Sequence, residues 1–406
     1  MGNPKVSIVL SQSNLGLLPA DASGVMGLIA AIPAANASGY GVPVVIKSKA
    51  QAIAELNNTL NAGILAAIVN GFFGEVSEGA PLYCVFVANT TSLSAMADSS
   101  NSYVANLVNA STKTIRAIAI VKYPAGSYTP TITAGFDEDV DAAVTKATAQ
   151  AAIALSAYKP IEFIIQGYGF TNATDAKDYS TTTNPNVHVV VASEDGDSVI
   201  PVLRAIGRKA SDRPSRNIGR VQGGSLNIAD GVAIALGATA LATMLPADLD
   251  TLHDKRYITY IVNENAPGYI FNDDVSLVIA TSDYSNWANN AVIGEAVRTA
   301  YATYYKTLKD DVDVDQTTGR IGVAVEKNLE QDIIDAINTA LSSSISGVDA
   351  KVNPDIVKYA ALYANADITN PNLNLTASGK IYVFLTIVPK GYIKNVTVAL
   401  GFGLTA

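Results

Sequence analysis

The chain has a single cysteine, Cys84, so no disulfide can form within it. Histidine is almost as scarce, with only His188 and His253, which leaves little material for imidazole-based catalysis or metal binding. Charge is sparse too: Asp, Glu, Lys and Arg make up 16% of the residues, against about 25% in ordinary soluble domains. The 27 basic residues are outnumbered by 36 acidic ones, for a net charge of -9. Neutralising phosphates requires a basic excess, so direct binding to nucleic acid is excluded as a general role. No long hydrophobic run stands out as a membrane span. The uncharged, Ala-rich stretch Gly231 to Ala247 falls short of the roughly 20 strongly apolar residues required. Read as a helix, it is apolar on most faces and stops at Pro246, which predicts an element buried inside a large protein. The opening Met-Gly-Asn-Pro-Lys leads into no sustained apolar segment with a small-residue cleavage site, so no secretory signal is expected.

What is present is apolar: 49% of the 406 residues, with a mean hydropathy of +0.24. That is too much for a disordered chain. The length exceeds the ~250 to 300 residues at which single cores stop growing, so two or more domains are expected. A lone subunit of this size must cover its exterior with polar groups, and the shortage of charge predicts that other protein covers part of it. Tyrosine outnumbers phenylalanine, 19 to 9, as suits interfaces where one ring edge stays wet.

Strand-like and helical patterns alternate through the first two hundred residues, the signature of a Rossmann-like α/β sheet with covering helices. Strands are expected at Val42 to Ile46, Leu82 to Val87, Thr114 to Val121, Ile161 to Gln166 and Val187 to Ala192. Helices are expected at Lys49 to Leu60, Gly63 to Phe73, Ser92 to Asn109 and Glu138 to Tyr158, the last capped by Asp137. The unbroken apolar strands are of the kind covered on both faces. The segment from Gly167 to Asn186 reads as an exposed loop. A long helix then spans Asp283 to about Leu308 and ends at an acidic turn, Asp310 to Asp315. Arg320 to Val325 reads as a strand and leads into an amphipathic helix bearing Leu329, Ile333, Ile337 and Leu341. A Ser/Asn-rich connection precedes a closing hairpin, Ile381 to Val388 and Ile393 to Phe402. Lys5 to Leu10 is strand-like as well. Terminal strands can join another subunit's sheet edge or pair within their own, and the sequence leaves both open.

The sites of common chemistries are missing. No Gly-x-x-x-x-Gly-Lys-Ser/Thr cradle exists for nucleotide phosphates, and Gly167-Tyr168-Gly169 lacks the third glycine of a dinucleotide turn. Asp197 or Ser198, after Gly196, reads as a helix cap before it reads as a hydrolase nucleophile. His188 sits mid-strand in a structural role, His253 has no second ligand at helical spacing, and Cys84 packs as a small hydrophobe. Asp311, Asp313 and Asp315 imitate a calcium loop, but Gln316 and Gly322 occupy positions that need Gly and Glu. No catalytic residue, cofactor or metal is therefore expected. One charge cluster stands out: Arg204, Arg208, Lys209, Arg213, Arg216 and Arg220, offset only by Asp212. Such a stripe can meet acids of another copy, among them Asp311 and Asp313, or lie in a loop with intramolecular pairs.

The order of segments resembles the tail sheath proteins of contractile-tailed phages and related contractile injection systems. The resemblance rests on Ser23 to Ala30 followed by Gly41 to Ser48, on Phe72-Phe73-Gly74 leading to Tyr83 to Val87, and on the long helix through Arg298 followed by Asp311 to Ile321. The closing strand after Pro389 and Ile393 completes it. It implies an N-terminal linking arm (1–20), outer α/β domains (21–265), a C-terminal sheath domain (266–394) and a C-terminal arm (395–406). The arms would carry Lys5, Val6, Ile8 and Leu10 at one end and Val396, Val398, Leu400 and Phe402 at the other. The resemblance further implies hexameric rings stacked helically around an inner tail tube, association with baseplate and tail terminator proteins, and contraction within a virion assembled in the bacterial cytoplasm. It implies no enzymatic activity, no nucleic-acid contact and no stable membrane insertion. The rival readings are a Rossmann-like hydrolase using Ser198, Asp197 and His253, and another self-assembling tail or shell component.

Overall fold

A computed structural model describes residues 24–308 and 311–391. By compactness the chain divides into two units, Met1–Tyr301 and Ala302–Ala406. The first is built on an eight-stranded sheet of β1 (Met26–Ile32), β2 (Pro43–Ile46), β3 (Leu82–Ala88), β4 (Ala117–Lys122), β5 (Glu162–Gln166), β6 (Val187–Val191), β7 (Ile258–Val262) and β8 (Tyr269–Phe271). Their order is 8-7-6-5-4-1-3-2. The six central strands run parallel, while β2 and β8 close the edges antiparallel. β1 lies in the middle, with Met26 opposite both Leu82 of β3 and Ala117 of β4. All seven of its residues are buried, as are all those of β4, β5 and β6, which explains why these strands read as unbroken apolar runs.

Helices α1 (Lys49–Glu55), α2 (Leu93–Ala97), α3 (Tyr103–Ala110), α4 (Glu138–Ser156), α5 (Val199–Ala210) and α6 (Pro246–Asp254) connect these strands. The Asp137 cap of α4 is present: its carboxylate accepts from the Asp139 amide, and three acids occupy the first turn. α5 crosses a π-helical segment, Ala67–Phe72, at very short range. A Cβ on Gly207 would stand 2.6 Å from the Phe72 carbonyl oxygen, and one on Gly71 2.9 Å from that of Ile200, so glycine on both sides is what lets the backbones meet.

Several expectations need correction. Ser92 to Asn109 is two helices, broken where Ser102 takes a left-handed φ of 58°. Gly231 to Ala247 is not a buried helix. Ile234–Leu236 and Thr239–Ala240 pair antiparallel across Gly237, whose φ is +60°, and Ser193–Glu194 adds a third short strand. Pro246 opens α6 instead of ending a helix, because its fixed φ and missing N–H suit the first helical turn. Residues 266–301 complete the first unit: β8 finishes the sheet, and Trp287, the first residue of α7 (Trp287–Tyr305), is buried against His188.

In the second unit, α8 (Val323–Leu341) buries Ile333, Ile337 and Leu341 on one face, against β9 (Ile345–Val352). β9 pairs antiparallel with β10 (Val383–Pro389), Val352 opposite Val383. Arg320 to Val325 is not a strand. Val314 and Ile321 make only an isolated bridge, and Val323 already begins α8. β10 confirms the first strand of the closing pair, and β9 is the partner that composition did not reveal. Lys5 to Leu10 and Ile393 to Phe402 lie outside the described residues.

Candidate interaction surfaces

The basic cluster separates into an inward and an outward part. Arg204 on α5 is 1% exposed, so its expected place in a surface stripe is corrected. Its Nε and Nη2 donate to the two oxygens of Glu194, each at 2.8 Å, and its Nη1 donates to Glu75 Oε1 at 3.0 Å and to the Asn227 carbonyl at 2.8 Å. Tyr260 donates to the same Glu194 at 2.8 Å. A buried guanidinium is tolerated only when its donors are filled in this manner. One turn on, Arg208 donates to the other oxygen of Glu75 at 3.2 Å. Lys209 is also buried, donating to the Pro214 and Arg216 carbonyls, and burial pushes its ammonium down to about 8. Arg213, Arg216 and Arg220 remain half-buried on the loop beyond, with Asp212 at 3.8 Å from Arg216 Nε and 3.4 Å from Arg220 Nη2.

The hydrolase candidates do not converge. Ser198 Oγ accepts from Gln166 Nε2 at 2.8 Å. Asp197 accepts from the Tyr123 hydroxyl at 2.6 Å and from the Val199 amide at 2.7 Å, the work of a helix cap, and burial pushes its carboxyl upward. His253 Nε2 lies 3.3 Å from Asp273 instead. His188 is fully buried between the Val275 carbonyl, 2.9 Å from Nδ1, and Glu162, 3.0 Å from Nε2. Cys84 is buried, and desolvation raises its thiol well above its ordinary value, which keeps it in the unreactive form.

In doubly wound sheets, ligands settle where the strand order reverses, outside the carboxyl ends of the strands. Here the reversal falls between β1 and β4, and β4 ends in Lys122. Its buried Nζ donates to Asp137 at 2.8 Å and Asp139 at 3.2 Å, and lies 4.4 Å and 4.7 Å from the ring centres of Tyr128 and Tyr168. Asp139 in turn accepts from the Leu93 and Ser94 amides that open α2. The place where a cofactor would sit is thus committed to internal pairs that dock α4 on α2. Among the described residues, no group of three or more His, Cys, Asp or Glu is arranged to hold a metal ion, and no helix is long and apolar enough to cross a membrane.

In the second unit, Asp311 and Asp313 are exposed, with Val312 and Val314 exposed between and beside them. Asp315 is instead occupied by its own turn, accepting from the Thr317 and Thr318 amides at 3.1 and 2.7 Å. β9 and β10 form a two-stranded sheet with no third strand among the described residues. Val388 on β10 is half exposed, and Val357 beyond β9 is 88% exposed.

This fold is that of the contractile sheaths. The chain is similar over 99% of its length, and over 99% of the other, to the contracted helical sheath of the anti-feeding prophage, with a TM-score of 0.62 at 12% identity. A subunit of the sixfold-symmetrised baseplate of the same prophage matches over 100% of both chains, with a TM-score of 0.58 and 12% identity. A sheath tail protein from Desulfitobacterium hafniense matches over 86% of this chain and 93% of its own, with a TM-score of 0.52 and 11% identity. The chain belongs to the DUF2586 family, whose N-terminal domain model matches residues 3–275. No curated protein sequence matches it.

Proposed function

We propose that this chain is a non-enzymatic sheath subunit of a contractile tail or injection system. In this reading, six copies form a ring, rings stack helically around an inner tube, and shortening of the stack drives the tube through a target envelope. The observation that supports it most is the full-length likeness to a contracted sheath, in which both units take part. The filled crevice at Lys122 favours a structural role over catalysis, and the baseplate likeness makes baseplate association reasonable. The subunit would be assembled in the bacterial cytoplasm and reside in the tail, with tube, baseplate and terminator proteins as neighbours.

Residues 1–20 and 395–406 serve as linking arms. The two-stranded sheet of β9 and β10 is a suitable acceptor, since among the described residues no third strand lies on its edges, and a sheet edge offers a row of N–H and C=O groups. Lys5, Val6, Ile8 and Leu10, and Val396, Val398, Leu400 and Phe402, would supply the alternating side chains that fix register. Arg213, Arg216 and Arg220, with Asp311 and Asp313, would contribute charged contacts between copies. Contraction draws on new subunit contacts instead of nucleotide hydrolysis. Negative-stain electron microscopy of the purified full-length chain tests the reading. Hollow tubes of stacked sixfold rings are the expected result, whereas a preparation holding only monomers or dimers at high concentration would overturn it.

A further inference from the structure

The loop that follows α5 folds back beside it and borders an open cleft of about 230 Å³, lined by Arg208, Arg216, Arg220, Glu75, Asp212 and Asn217 among others. Its charges do not balance. Three guanidinium groups face two carboxylates, a surplus of one positive charge (3 − 2) in a chain whose net charge is -9. Glu75 is spoken for, because one of its oxygens accepts from Arg204 and the Asn227 amide and the other from Arg208. Asp212 is shared between Arg216 and Arg220 at 3.8 and 3.4 Å, well beyond the 2.7–2.9 Å of a charge-assisted bond. The Nε–H of Arg216 is shielded from solvent and has no hydrogen-bond partner.

We propose that this cleft is a binding site for a single oxyanion of the carboxylate or phosphate class. The planar forks of Arg216 and Arg220 can each present two parallel N–H groups to such an anion, which a lysine could not do. Bound there, the anion would accept from the outer N–H groups of Arg216 and Arg220, cancel the surplus charge and tie the loop to α5. Two sources share this chemistry: a free phosphate ion, or an acidic side chain of a second copy.

Calorimetric titration of the full-length chain with sodium phosphate, at ionic strength held constant with sodium chloride, tests the site itself. Saturable binding is expected, weakened at least tenfold by Arg216→Gln or Arg220→Gln, with Arg216→Lys failing to restore it fully. Arg216 and Arg220 side chains are 31% and 33% exposed, so both variants should fold, and their unfolding temperatures in chloride verify it. Absence of saturable phosphate binding, or binding unchanged in both Gln variants, would overturn the proposal. A second arm follows assembly by light scattering. Phosphate that slows assembly of the native chain but not of Arg216→Gln identifies a neighbour's carboxylate as the resident anion, while binding without any effect on assembly identifies free phosphate. Only this second arm rests on the sheath reading: a chain that binds phosphate but never assembles keeps the site and loses the sheath.

Discussion

The two units of this chain solve the stability problem in opposite ways. The first has an eight-stranded sheet whose central strands are buried on both faces, and its deeply buried charges are matched internally, Arg204 with Glu194 and Glu75, Lys122 with Asp137 and Asp139. Among its described residues, the second has a two-stranded sheet, a long helix, α8, with three fully buried apolar residues, and apolar side chains such as Val323 and Val357 left 71% and 88% exposed. Two strands are marginal alone in water. Among the described residues, the contrast teaches that the first unit holds a large core of its own, while the second holds a small one, which is the feature that the proposed linking arms would complete.

The comparison can be broken from its strong side first. Arg204→Ala would strand the carboxylates of Glu75 and Glu194 in the core and cost about 3–5 kcal/mol, the range for breaking a buried pair. Chemical denaturation measures it, and a loss under 1 kcal/mol would mean the first unit does not depend on its internal pairs. Next comes pH. Burial pushes Asp274 up from 3.8 to about 6, so the folded chain holds a proton that the unfolded chain has released. This contribution is fully present below pH 4 and fades as pH rises to 6, lowering first-unit stability by up to about 3 kcal/mol. Asp274→Asn should flatten that window in unfolding curves. Gly207→Ala sets a methyl 2.6 Å from the Phe72 carbonyl oxygen and should cost about 1–3 kcal/mol. On the weak side, Val357→Ser should alter unfolding by less than about 0.5 kcal/mol, because the side chain is already in solvent, yet raise the concentration needed for assembly if Val357 faces a neighbour.

Much of the first unit was legible because burial on both faces writes itself as uninterrupted apolar strands, and because the α4 cap is local: Asp137 bonds an amide two residues away. Reading failed where a decision was tertiary. Gly231 to Ala247 is uncharged whether it forms a helix or a hairpin, and the left-handed turn at Gly237 decided the matter. β9 carries Gly347, Asp349 and Lys351 and buries only Ile345, Ala350 and Val352, so its alternation was faint. The arginine cluster was visible as composition, but its direction was not. Arg204 turns inward because Glu75 lies 129 residues earlier in the chain and Glu194 at the end of a neighbouring strand segment, neither of which a charge count can place. The cleft beside α5 escaped for the same reason, since it exists only once the loop after α5 has folded back beside Arg208.

The central claim is that the second unit is finished by arms from other copies. Electron microscopy of a chain truncated after residue 394, beside the full-length chain, addresses it most directly. The account predicts tubes from the full-length chain and a folded, cooperatively melting monomer from the truncated one; intact tubes from the truncated chain would contradict it.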